Sequence, residues 1–230
     1  DKKNLIVGLD IGTSYVKTVV GLINEDNEIE IEGVGRSKSL GMKRGVVIDI
    51  SSTVDSIEKS IQEAEQLSGE RISSVYVSIS GNHIQSISAE GRAVISDQTE
   101  VTNQDLKSVE ESAKAITLSN DQEILHLIPK DYVIDKQHGI KVPLGMSGTA
   151  IDGRYHLIIG AKNARDNIEK CIKKCSIKPE TVVLEQLASS MSVLTEDEKE
   201  LGVCLVDMGG GTTDIAVSYT HLTLPTIYSV

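Results

Sequence analysis

Apolar residues recur along this chain with two periods. Residues 5–9, 15–23 and 29–34 read as three β-runs, joined by the turn at Asp10 and by the polar stretch Asn24-Glu25-Asp26-Asn27, which predicts an antiparallel meander. The period then lengthens. Val54, Ile57, Ile61, Ala64 and Leu67 share one helical stripe, with Ser51 or Ser52 placed to cap the helix and Gly69 to end it. Residues 75–79 return as a strand. A further helix at 164–175 and a strand at 181–184 complete the pattern of an α/β domain with a mixed sheet.

Between about residues 83 and 159 the texture changes to that of a small α+β unit inserted into the parent domain. Residues 84–88 and 92–95 flank Ala89-Glu90-Gly91 as a predicted hairpin. Thr102-Asn103-Gln104-Asp105 resembles a capping box, with Leu106, Val109, Ala113 and Ile116 on one stripe behind it. A strand at 131–135, an irregular segment from Gly139 to Gly148 and a strand at 155–159 follow. Beyond residue 184 come a helix at 187–194 and the acidic run Glu196-Asp197-Glu198-Lys199-Glu200, read as a solvated turn or helix end.

The strongest chemical signal is a repetition. Gly8-Leu9-Asp10-Ile11-Gly12-Thr13 and Val206-Asp207-Met208-Gly209-Gly210-Gly211-Thr212-Thr213-Asp214 each bring an apolar strand to an aspartate in a glycine-rich turn. Overlaying residues 7–20 on 204–217 puts Asp10 on Asp207 and Gly12 on Gly209. A glycine backbone can approach an anion closely and turn successive N–H groups onto phosphate oxygens. An aspartate there would repel phosphate unless a cation, hydrated Mg²⁺ by preference, sat between them. Asp-Gly turns also occur simply as turns, but Thr13 and Thr212-Thr213 place hydroxyls beside both. Neither a GxxxxGK[ST] loop nor a GxGxxG after a strand occurs.

Composition narrows the ligand further. The 230 residues carry 23 Lys and Arg against 34 Asp and Glu, a net charge of −11, which opposes binding to nucleic acid or anionic lipid. With no Phe or Trp, base stacking is poorly served as well. Hydrophobic residues make up 39 %, enough for a substantial core. Cys171, Cys175 and Cys204 form no CxxC pair, and no secretory segment is evident, which points to reduced thiols in the cytoplasm. Cys171 and Cys175 fall on one helical face as core-facing thiols, and the histidines show no ligand spacing, so no metal cluster is assigned. No apolar run approaches the roughly 18 residues of a membrane span. The chain opens on Asp1, which need not be the natural start.

Together the motifs resemble the actin, sugar-kinase and heat-shock-chaperone ATPase superfamily and, within it, the FtsA family of bacterial cell-division proteins. Beyond the two loops, the resemblance rests on Val183-Leu184-Glu185-Gln186-Leu187-Ala188-Ser189-Ser190, on Leu194 to Val203, on Val77-Ser78-Ile79-Ser80-Gly81-Asn82-His83-Ile84 and on Leu125 to Asp135. It runs from about Asn4 to Val217. It implies an actin-like (ribonuclease H-like) α/β fold, a mixed sheet flanked by helices. The first lobe would comprise residues 1–82 and 160–185, with a family-type SHS2-like α+β domain inserted at 83–159. Residues 186–217 would begin a truncated second lobe. Residues 218–230, Ser218 to Val230, depart from the family pattern and read as a non-native junction.

Carried over by residue, the resemblance implies that Asp10 and Asp207 hold Mg²⁺ through water. Gly12, Thr13, Ser14, Gly209, Gly210, Gly211, Thr212 and Thr213 would line the phosphates of ATP. Lys17 would reach them as a cation, or else be a solvent-facing strand residue. Glu185 would orient an attacking water, or be a helix-start carboxylate favoured by the dipole. The family further implies self-association into actin-like filaments and recruitment of later division proteins through residues 83–159. It also implies linkage to the tubulin-like FtsZ ring, and a peripheral place on the inner face of the cell membrane at the division site. The FtsZ-binding subdomain and the membrane helix of the family lie beyond the second loop, where the resemblance stops. Two other readings stay open: a pilus-assembly adaptor of the same plan, or a small-molecule kinase of the superfamily, though no substrate-facing aspartate is evident outside the loops. The resemblance implies a nucleotide-regulated adaptor, with at most a weak ATPase activity.

Overall fold

The computed structural model describes residues 5–97, 99–219 and 222–224. It opens with the expected meander: β1 (Leu5–Ile11), β2 (Tyr15–Ile23) and β3 (Ile29–Lys38). A short ribbon of β4 (Met42–Lys43) and β5 (Val46–Val47) leads into α1 (Ile50–Ser68) and β6 (Ser74–Ile79). Next come β7 (Gln85–Val94), α2 (Asn103–Lys114), β8 (Gln122–Ile134), β9 (Gln137–Ile140) and β10 (Ala150–Ala161). The chain continues through α3 (Lys162–Lys174), β11 (Lys178–Leu184), α4 (Glu185–Val193), α5 (Glu196–Leu201), β12 (Val203–Met208), β13 (Thr213–Tyr219) and β14 (Leu222–Leu224).

The main sheet has the order β11-β6-β1-β2-β3 and is mixed, because β6 runs parallel to both β1 and β11 while the meander is antiparallel. Val7, Leu9, Ile11, Val16 and Val20 alternate onto one buried face, where they meet Ile57, Ile61 and Ala64 of α1 and Ile168 and Ile172 of α3. Helix α1 is capped by Asp49, whose carboxylate accepts from Ser52 N at 3.1 Å, and not by Ser51 or Ser52 as expected. Its end at Gly69 holds: φ is +70°, and the Gly69 N–H donates to Glu65 O at 2.9 Å. Leu67, placed on the apolar stripe by spacing, is 62 % exposed in the last turn. A side chain on Gly35 would strike the Ser60 carbonyl and come within 2.6 Å of Ala64 N, so glycine lets α1 lie directly on β3.

A second sheet, β7-β10-β8-β9, is covered by α2. The hairpin expected around Gly91 is absent, and residues 85–94 form one continuous strand paired throughout with β10. Gly91 serves a different purpose. A Cβ there would collide with Val109 O and sit 2.7 Å from Ala113 N, so this glycine admits a helix and turns no corner. The box at the start of α2 is present: Thr102 Oγ1 accepts from Asp105 N at 3.3 Å, and Asp105 accepts from Thr102 N at 2.9 Å. Bonds from Thr102 and Ser96 hold the Asp105 carboxyl well below the usual carboxylate range.

The strand expected at 131–135 is the far end of the 13-residue β8. The near ends of β8 and β10 enter the first core, where Leu125, Ile128 and Ile158 pack. Cys171 is buried and Cys175 half-buried, the face-sharing pair the spacing predicts. The acidic run forms the short α5. Strands β12, β13 and β14 make a third sheet. Of the stretch from Ser218 onward, Ser218 pairs with Val203, and residues 220–221 and 225–230 lie outside the described residues. Among the described residues, no helix is long and apolar enough to cross a membrane.

Candidate functional site

The two glycine turns close alike. Gly12 N donates to Tyr15 O at 3.1 Å, and Gly209 N donates to Thr212 O at 2.9 Å. The register matches as well, with Asp10 opposite Lys17 in the first hairpin and Asp207 opposite Asp214 in the second. The tips meet. A Cβ on Gly210 would collide with Ser14 Oγ and lie 2.8 Å from Ser14 Cβ, and one on Gly211 would lie 2.7 Å from Thr13 Cγ2. These glycines therefore bring two backbone turns into contact across the cleft.

Each aspartate is oriented by a serine from a neighbouring element. Ser78 Oγ donates to Asp10 Oδ1 at 3.0 Å, and Ser189 Oγ donates to Asp207 Oδ2 at 2.8 Å. Lys17 Nζ stands 3.5 Å from Asp10 Oδ2, with half its side chain open to solvent. Thr13 Oγ1 accepts from Gly45 N at 3.2 Å, which ties the β4–β5 turn to the first hairpin. Between the hairpins lies a cavity of about 200 Å³ lined by Asp10, Gly12, Thr13, Ser14, Lys17, Glu185, Asp207, Gly209, Gly210 and Thr212. Two of the expected residues stand off it: Gly211 packs on Thr13, and Thr213 begins β13 opposite Met208.

Glu185 is the first residue of α4. Burial pushes its carboxyl up to about 7, and the nearby negative charges of Asp10, Asp207 and Asp214 add to this against a bond from Ser80. Four carboxylates thus act on one small space with a single lysine lining it. That charge balance suits a divalent cation. Asp10 and Asp207, one on each hairpin and each already accepting from a serine, are a donor set that fits an ion keeping most of its water, as Mg²⁺ does.

Residues the sequence reading passed over also line or brace the site. Tyr15, Gly45, Ser80 and Met208 border the cavity, and Ser78 and Ser189 hold the aspartates. Asp214, 2 % exposed, had a legible signal, since the overlay of the two hairpins puts it on Lys17.

Residues 81–159 match the model of the SHS2 domain inserted in FTSA. The chain is 51 % identical over 213 residues to the cell division protein FtsA of Pseudomonas aeruginosa, covering 93 % of this chain and 51 % of that protein. Against the cell division protein FtsA of Escherichia coli K12 it is 44 % identical over 215 residues, 94 % of this chain and 51 % of that protein. The chain spans about half the length of these relatives. Among solved structures, a chain of the PilM-PilN type IV pilus biogenesis complex superposes with a TM-score of 0.66 at 14 % identity, over 98 % of this chain and 59 % of that one. The ethanolamine utilization protein EutJ from Carboxydothermus hydrogenoformans gives 0.51 at 15 % identity, over 98 % and 51 %. These structural likenesses carry the actin-like fold alone. On its sequence and its inserted segment together, the chain belongs to the FtsA family of actin-like proteins, over the half of those proteins that it spans.

Proposed function

We propose that the paired hairpins bind the phosphates of ATP with Mg²⁺, in the nucleotide-responsive part of a cell-division adaptor. The observation that carries this is the meeting of two like turns, each with a serine-held aspartate, around one cavity. At about 200 Å³ the cavity falls below the roughly 300–1,000 Å³ of small-molecule pockets, so it takes the phosphate end of a nucleotide and not the whole of it. Asp10 and Asp207 hold the cation through its water, and Lys17 faces the phosphates. Bound Mg²⁺ offsets phosphate charge that the four carboxylates would otherwise repel. Gly12, Gly209 and Gly210 offer close backbone approach, and Thr13, Ser14 and Thr212 offer hydroxyls. Glu185, poised near neutrality, orients water at the edge of the cavity.

The same reading extends to the whole protein. Its inserted segment would serve self-association and recruitment of later division proteins. Regions beyond β13 would join it to FtsZ and to the inner face of the membrane. The test is calorimetric titration of the full-length protein carrying this sequence, with and without Mg²⁺, comparing Asp10→Ala and Asp207→Ala with Asp97→Ala in the inserted segment. Both site variants should lose most Mg²⁺-dependent affinity for ATP. Equal affinities in all three reject the assignment.

A further inference from the structure

The inserted segment meets the elements that build the cavity at two places. At its root, a Cβ on Gly45 would lie 2.9 Å from Ser80 O and 3.1 Å from Gly81 Cα, so the turn that holds Thr13 rests on the point where the segment leaves the main sheet. The second contact reaches further in. His126, on β8, accepts a 2.9 Å hydrogen bond at Nε2 from Leu184 N, 58 residues along the chain. Leu184 closes β11, the edge of the main sheet, and is the N-cap of α4 without a side-chain cap bond. An N–H at such a place needs an acceptor from elsewhere in the fold, and the inserted segment supplies it. The next residue is Glu185.

The link has the makings of a lever. Leu125 and Ile128, flanking His126 on the same strand, pack against the main core, so β8 holds its histidine firmly. Burial lowers the His126 pKa, which keeps the imidazole neutral and leaves Nε2 a lone pair to accept with. Ser80, at the root, favours the charged form of the Glu185 carboxyl. Glu185 is therefore fixed from its backbone side by the inserted unit, through Leu184 N, and at its carboxyl by Ser80 at that unit's root.

We infer that His126 is a positioning residue through which the inserted unit sets the place of Glu185 in the phosphate cavity. The inference rests on the nucleotide reading given above. By linkage, whatever loads the inserted unit then changes nucleotide affinity, and nucleotide changes the affinity of that partner by the same factor.

The test uses the full-length protein carrying this sequence, with His126→Leu, His126→Gln, Glu185→Gln and the double variant His126→Leu/Glu185→Gln. Amide hydrogen exchange is followed at Leu184 and Glu185, and Mg-ATP affinity is measured in parallel. His126→Leu removes the acceptor, so exchange should quicken and Mg-ATP binding weaken, each by about two- to tenfold, the range of one net hydrogen bond. His126→Gln keeps an acceptor oxygen and should stay within about twofold of the parent on both readouts. In the Glu185→Gln background, His126→Leu should weaken binding no further, since a coupled pair is not additive. Faster exchange with unchanged affinity overturns the inference, as does equal weakening in both backgrounds. If the parent protein binds no Mg-ATP, the nucleotide reading fails by itself. The placement of Glu185 is then decided by exchange alone: faster in His126→Leu and restored in His126→Gln supports it, and no change in His126→Leu refutes it.

Discussion

Replacing Glu185 with glutamine tests the electrostatics of the cavity directly. In the folded chain its carboxyl stands at about 7 against an ordinary 4.5, because burial disfavours its charge and Asp10, Asp207 and Asp214 repel it. A folded-state pKa above the unfolded one means that the folded protein binds more protons between those two values. Stability from this group is therefore full below about pH 4.5, falls as pH rises, and reaches its floor above about pH 7. At about 1.4 kcal/mol per tenfold in acidity, the difference between 7 and 4.5 sets an upper limit of about 3 kcal/mol. Partial solvent access reduces that figure. Glutamine has the shape of the neutral acid and no charge to bury. Urea unfolding of both proteins from pH 4.5 to 8 should give curves that coincide at the acid end and separate with rising pH, the variant being more stable by about 1–3 kcal/mol at pH 8. Taking the difference cancels the titrating groups that do not interact with Glu185. A difference that is flat with pH, or that favours glutamate at pH 8, would refute the reasoning.

Two further substitutions probe the packing that builds the site. Gly210→Ala drives a methyl group into Ser14 and should weaken Mg-ATP binding by about tenfold or more in the full-length protein, while Ser14→Gly in the same chain should recover much of it by calorimetry. Gly35→Ala forces α1 off β3 at the Ser60 carbonyl and should cost about 1–3 kcal/mol in thermal or urea unfolding.

The elements that sequence reveals best are those whose reasons are local. The meander, the Gly69 stop and the Thr102 box follow from spacing and caps within a few residues, and the repeated aspartate turn announces itself because the signal occurs twice. Gly91 is ambiguous in the sequence because a glycine within a strand-forming stretch looks the same whether it bends the strand or admits a helix; only the position of α2 decides. Asp49 won the cap from two adjacent serines by a backbone setting that composition does not display. The braces of the cavity were the least legible part. Ser78 reaches Asp10 across 68 residues, and His126 reaches Leu184 across 58. No periodicity ties such partners together, and a lone serine or histidine on a strand carries no mark of what it will face.

A duplicated hairpin facing its twin has no intrinsic sense of direction, and a symmetric ligand would lie in it equally well either way round. Here the twofold likeness is broken at one matched position, where the first hairpin carries Lys17 and the second carries Asp214. In the cleft, Lys17 consequently stands beside Asp10 on one hairpin, while Asp207 lines the other with the buried Asp214 behind it and no lysine. A chain of phosphates entering it is met by attraction on one side and by a need for a counter-ion on the other, so its ends are no longer interchangeable. Lys17, half open to solvent, is the residue that gives the site its compass.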